Sequence, residues 1–394
     1  MSGQASLIRT IALWAAGLGS LAFAGVSITH AVIVPMTTDF AGFDAALHAQ
    51  TNHLGCVYSR SVQLAGARMV PGLAAPAAPS GLPWHFNEPM VLTYLAYPLM
   101  HLPLREAVVA WILISAAALG GGGLLLWRRL CPVSRLLAFA VITSLLCNAV
   151  ADINFWLAQN DALLLLVLLC GLELLRRGRD IGAGALLGVV ALKPQLLFLV
   201  LLMLVFQRRW RIVTAACGSA AVLWSVGVAM IGSSCAVTYL HSASALDELQ
   251  IGIGLPTALA QLTGTAFPAE ILFAGLCLGA AGILWRLRDI ELELAISVAL
   301  GCALVIGLHT LWYDTLFLAP LGIRFSRRFP LAVIGAGWLF TTAQVADEIM
   351  KLDFSAPVRT VGLWIFAVFS AAAITICHAQ RHSEQAPSLV GWLS

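Results

Sequence analysis

Long apolar runs divided by tight arginine clusters constrain this chain more than any other feature of it. Runs of about 18 apolar residues recur along most of the sequence, and a run of that length is what a helix needs to cross a bilayer. The composition agrees: 60% of residues are hydrophobic and 10% charged. That balance excludes a water-soluble enzyme, a nucleic-acid binder and a secreted disulfide scaffold. It points to an all-α, polytopic transmembrane helical bundle.

The arginines set the orientation. They cluster at Arg128, Arg129 and Arg135; at Arg176, Arg177 and Arg179; at Arg208, Arg209 and Arg211; at Arg286 and Arg288; and at Arg324, Arg327 and Arg328. Basic residues stay in the cytoplasm, so all of these are expected inside. Residues 7–30 then form a first crossing that leads to a long outer loop, 31–105. Further crossings are expected near 107–127, 136–150, 162–175, 213–231, 269–285, 292–308, 315–323, 331–343 and 361–377. Residues 1–377 read as one integral membrane domain, and 378–394 as a polar cytoplasmic tail. The first run has Arg9 near its start, as a signal peptide does, but it is long for one and is kept as a crossing.

One segment does not fit a simple crossing. Residues 181–206 hold no charge but Lys193, and Pro194 follows it in "ALKPQLLFLV". Arginines flank the segment on both sides, so the chain must return to the face it left. As one straight helix it would span about 39 Å, enough for one crossing but too short for two. Proline removes a backbone donor and disfavours helix just before it. Two half-helices meeting at Lys193-Pro194-Gln195 satisfy both constraints. Broken backbone at that depth requires surrounding protein or a water-filled cavity.

Lys193 is thus a functional candidate, as an ionisable residue inside a membrane usually is. It can meet a phosphate as a point charge, with Gln195 adding neutral donors; equally it can pair with a buried carboxylate or reach an interface. Asp39, in "TTDFAGFDAALHAQ", follows the first crossing at the head of a short amphipathic helix. It suits a general base for an acceptor hydroxyl and equally a helix cap. Asp44 reads as a solvated loop residue. "LHTLWYDTLFLAP" puts His309, Tyr313 and Asp314 at an outward helix break, where His309 could bind phosphate, orient a sugar hydroxyl or simply lie at the interface. "DINFWLAQND" places Gln159, Asn160 and Asp161 at the outer end between two helices, either as partners for sugar hydroxyls or as a polar turn. "WHFNEPMVLTYLAYPLMHLPL" reads as interfacial helices on the outer leaflet. "LGGGG" at 119–123 and the Gly184/Gly188 pair read as small-residue helix contacts. No Walker, dinucleotide or zinc signature occurs, and no metal or cofactor is expected. Cys56 and Cys235 both fall on the outer side, where a disulfide between them is possible.

Four stretches together resemble glycosyltransferase family 87, a group of polytopic GT-C glycosyltransferases. They are "DFAGFDAA" (39–46), the block from Trp156 to Arg211 centred on Leu-Lys-Pro-Gln, "GLPTALAQLTG" (254–264) and "HTLWYDTLFLAPL" (309–321). The sequence departs from the family pattern where Ala158 stands in place of a common glycine and Phe43 in place of the usual tyrosine. The resemblance implies a GT-C bundle in the bacterial inner membrane whose site faces the exterior. It implies a polyprenyl-phosphate sugar donor, mannose before a pentose such as arabinofuranose, and a lipid- or glycan-linked acceptor. Asp39 is the implied base, with Lys193 and His309 near the donor phosphate. A transporter of a lipid-linked or anionic solute is the competing reading, although no internal repeat supports it.

Overall fold

The structure is a computed structural model that describes residues 2–33, 38–70, 91, 94–242, 254–263, 267–307 and 310–350. Among these residues the fold is a helical bundle without strands. In chain order, α1 is Ser2–Ile33, α2 Thr38–Thr51, α3 Arg60–Ala67, α4 Leu104–Leu130, α5 Arg135–Leu146 and α6 Ala149–Trp156. There follow α7 Asp161–Arg176, α8 Asp180–Val189, α9 Pro194–Phe206, α10 Trp210–Ile231 and α11 Ser233–Ser242. Then come α12 Leu255–Thr263, α13 Phe267–Arg286, α14 Leu292–Ile306, α15 Ala319–Ser326 and α16 Pro330–Met350.

Three helices are long and apolar enough to cross a membrane, within Ser6–Ile33, Leu104–Leu130 and Trp210–Ile231. The pair α5 and α6, bent by 46°, is together long and apolar enough for a fourth. These helices carry large apolar side chains on their outer surfaces. Ile8, Ile11 and Leu18 on α1, Leu113 and Leu124 on α4, and Val222 on α10 are all more than half exposed. Such a surface is unfavourable in water and neutral in lipid. The chain is therefore a membrane protein.

The break between α5 and α6 has a local cause. Asn148 leaves helical geometry, and its side-chain oxygen accepts from Val150 N at 2.9 Å. It thereby caps a new helix within the span. The stretch "DINFWLAQND", expected between two helices, is helical as far as Trp156, and the chain turns only after it. There Ala158 takes φ +51°, a left-handed conformation that favours glycine.

The segment around Lys193 folds back as the arginine pattern requires. Residues 180–192 and 194–206 form two short arms, the first ending in a 3-10 turn over Val190–Leu192. Pro194 occupies the first position of α9, where its missing N–H leaves no intrahelical bond unmade. Both feet of the hairpin lie at one end of the bundle. Arg176 lines a cavity there with Glu291 and Arg324, and Gln207 Nε2 donates to Ile290 O at 2.9 Å. The small-residue reading holds where α8 meets α10. A Cβ on Gly184 would fall 2.5 Å from Ile212 O, and one on Gly188 2.4 Å from Ala216 O.

The loop expected on the outer side departs from expectation in its first helix. A helix does follow Thr38, but it is not amphipathic. Phe40 through Leu47 are all buried, and α3 packs closely against one face of α2. A Cβ on Gly66 would lie 2.1 Å from Ala45 O. Most of the expected interfacial stretch lies outside the described residues; within it Val91 is helical and Tyr97–Leu99 form a 3-10 turn. Cys56 and Cys235 are joined in a disulfide, with Cα atoms 5.1 Å apart. Tyr58 and Tyr239 pack together nearby, ring centroids 4.9 Å apart, and Gln50 donates to Met230 O. The start of the loop is thus fastened to the C-terminal end of α10 and to α11. The expected crossing at 361–377 and the tail lie outside the described residues.

Candidate active site

The hairpin tip presents Lys193 to two carboxylates. Its Nζ is 2.6 Å from Asp314 Oδ1 and 2.8 Å from Asp161 Oδ1, and it sits 4.7 Å from the centroid of the Tyr313 ring. All three charged groups are buried. A lone lysine at that depth would be costly, and ion pairing offsets its desolvation. Of the readings open for Lys193, pairing with a buried carboxylate is the one the structure bears. Its charge is already engaged by two acids. The tip therefore does not present an uncommitted positive charge.

Each acid has a second tie. Asp314 Oδ2 accepts from Leu311 N at 2.7 Å, which starts the 3-10 helix Trp312–Leu318. Asp161 Oδ2 accepts from Asn154 Nδ2 at 3.4 Å. The cluster thereby joins α6, the head of α7, the hairpin tip and the 3-10 helix. Sequence reading singled out Asp314 but left Asp161 as one residue of a turn, and it missed Asn154. A signal was available for Asp161: a buried lysine calls for a buried acid at a matching depth, and Asp161 opens an apolar helix at the outer end.

Gln159 and Asn160 lie beside the cluster and are buried. Neither side-chain polar atom of Asn160 has a hydrogen-bond partner, nor has Thr310 Oγ1 nearby in sequence to Asp314. Buried amides and hydroxyls are normally satisfied. These groups are suited to the hydroxyls of a polar ligand. Gln195, one residue beyond Pro194, is half-buried.

Asp39 lies in the first turn of α2, and its side chain is outside the described residues, as is His309. The helix that carries Asp39 is nevertheless well seated. The Phe40 ring packs on Trp111 with centroids 5.9 Å apart, and Trp111 Nε1 donates to Gln159 O at 3.3 Å. One aromatic residue thus links the head of α2 to the peptide next to Asn160. On the opposite side, Gly254 at the head of α12 abuts Gly307 O, where a Cβ would fall 2.0 Å away. Gly307 precedes His309 by two positions.

Asp44 contradicts the expectation of a solvated residue. It is 1% exposed, and neither oxygen has a hydrogen-bond partner. The nearest cation candidate is His48, whose Nε2 is 3.6 Å from Oδ1. Burial pushes the Asp44 carboxyl up to about 7. The His48 imidazole is held below its usual range, first by burial and then by His101. Tertiary packing around α2 creates this environment, and nothing in the local sequence signals it.

No curated protein and no solved structure matches the chain. The model of glycosyltransferase family 87 matches residues 86–311, more than half of the chain. The match includes Trp111, Gln159, Asn160, Asp161, Lys193, Gln195 and His309; it leaves out Asp39, Tyr313 and Asp314. The chain belongs to glycosyltransferase family 87, a family of membrane glycosyltransferases.

Proposed function

We propose that the protein transfers a sugar, mannose in the first instance, from a polyprenyl-phosphate donor to a lipid- or glycan-linked acceptor on the outer face of a bacterial inner membrane. The observation that carries this reading is the aromatic link from α2 through Trp111 to Gln159. It seats the helix bearing Asp39 on the same floor as the Lys193 cluster. Asp39 removes the proton from the acceptor hydroxyl as that oxygen attacks the anomeric carbon. The bond from that carbon to the phosphate oxygen breaks, and polyprenyl phosphate leaves with the electron pair. Phosphate is a good leaving group, so neither a metal nor a separate acid is called on. Attack from the face opposite the leaving group inverts the anomeric centre.

The ion pairs change the part given to Lys193. Held between Asp161 and Asp314, it acts as a positioning residue that fixes the floor. Asn160, Gln159, Gln195 and Tyr313 meet the sugar or the phosphate, and His309 supplies charge to the leaving oxygen. Asp314 fixes the backbone that leads back to His309.

The test is sugar transfer by the purified protein in proteoliposomes, with polyprenyl-phosphate mannose and polyprenyl-phosphate arabinofuranose offered separately. Asp39→Asn is expected to abolish transfer while donor binding persists. Transfer that survives this substitution removes Asp39 as the base. Use of the arabinofuranosyl donor alone changes the sugar and keeps the mechanism.

A further inference from the structure

The end of the bundle opposite the Lys193 cluster holds a second constellation that the glycosyl-transfer reading does not use. A cavity of about 260 Å³ is lined by Arg129, Arg176, Arg324 and Arg327, together with Glu291, Glu293, Pro320 and Ile323. The arginines come from the last turn of α4, the end of α7, the last turn of α15 and the residue after it. The glutamates come from the head of α14.

The charges in this basin do not cancel. Arg129 pairs with Glu293, and Arg324 with Glu291. Arg176 leans on Glu173 at 3.4 Å, outside the cavity lining, and Arg327 donates to Arg129 O at 3.4 Å. Four guanidinium groups thus face two carboxylates. The decisive residue is Arg129. Its side chain is 5% exposed, yet Nε and one terminal nitrogen have no hydrogen-bond partner. Unsatisfied donors on a buried guanidinium are costly. A planar guanidinium with spare N–H groups is shaped for an oxyanion with two or more oxygens.

We propose that this basin is a binding site for a phosphoryl anion, with Arg129 at its floor and Arg176 and Arg327 at its rim. The ligand chemistry is a phosphate carrying at least one negative charge. It can be supplied by the headgroup of an anionic phospholipid in the adjoining leaflet or by a soluble phosphate. The arginine pattern places this end in the cytoplasm, where both sources occur. The proposal stands apart from the glycosyl-transfer reading, since no residue in it belongs to the Lys193 cluster.

The full-length protein, purified in neutral detergent, is titrated with inorganic phosphate against chloride at matched ionic strength, and its melting temperature is followed. It is then moved to lipid discs of phosphatidylcholine with and without phosphatidylglycerol. Binding to the folded state raises the melting temperature in a saturable way. A rise with phosphate identifies a soluble ligand; a rise with phosphatidylglycerol alone identifies a headgroup. Arg129→Gln can simply misfold, so the deciding variant is Arg176→Gln/Arg327→Gln, at two exposed positions. It should melt near the wild type in neutral detergent and bind the anion at least tenfold more weakly, as loss of charge-assisted hydrogen bonds predicts. No shift with either anion, or an equal shift in the double variant, overturns the site.

Discussion

The bundle buries a cation at each end, and the two are treated in opposite ways. Lys193 has two carboxylates within 2.8 Å, one more than its charge requires. Arg129 has one, Glu293, and keeps two nitrogens without acceptors. The cation of the first cluster is already engaged by two acids. The second is open to one because it is still positive. Buried charge alone therefore does not identify an anion site; the balance of partners around it does.

Substitution at Lys193 should break the comparison most forcefully. Lys193→Met leaves two carboxylates facing each other in an apolar interior and should cost about 3–5 kcal/mol. Adding Asp161→Asn and Asp314→Asn should recover much of that stability while transfer stays lost. A Lys193→Met protein as stable as wild type in thermal melts would mean that the ion pairs contribute nothing.

Asp44 extends the rule to a buried charge with no hydrogen-bonded partner at all. Its carboxyl sits near 7 in the folded protein against 3.8 for an ordinary aspartate. Between those values the folded state keeps a proton that the unfolded chain has released. Stability contributed by this group therefore falls as pH rises from about 4 to about 7 and stays lost above that. Asp44→Asn should gain up to about 4 kcal/mol at pH 8 and little at pH 4. Melting curves at the two pH values check this; a gain independent of pH would assign it to something other than ionisation.

Arg129→Met should cost less, about 2 kcal/mol, because Glu293 is 21% exposed and water can take over its solvation. A cost equal to that at Lys193 would erase the distinction between the two ends. The smallest effect concerns the loop beside the lysine cluster. Ala158→Gly relieves a left-handed backbone and should stabilise by about 1 kcal/mol, read as a rise in melting temperature with unchanged donor specificity.

These differences also explain what could be read from the amino-acid order. The hairpin at Lys193 was legible because it follows from charge parity and proline chemistry, both local. Its partners were not, since Asp161 and Asp314 each open a helix and resemble ordinary first-turn acids. Arg129 was hidden for the opposite reason. It belongs to one of several arginine clusters, and only the fold distinguishes it from Arg128 beside it. Asp44 looked solvated because an aspartate in a loop usually is, whereas its burial comes from tertiary packing around α2 that no periodicity reports. Gly184 and Gly188 were readable as a pair because one helix turn separates them. The orphan amide of Asn160 was not, because satisfaction of a polar group is a property of its surroundings.

The disulfide between Cys56 and Cys235 gives a second record of sidedness. Cystines accumulate in oxidising compartments and are rare in the reducing cytosol. Guanidinium groups are retained on the cytosolic side for unrelated reasons of translocation. In this protein the cystine and the arginine basin lie at opposite ends of the bundle. The redox rule and the positive-inside rule, two independent arguments, therefore favour the same orientation.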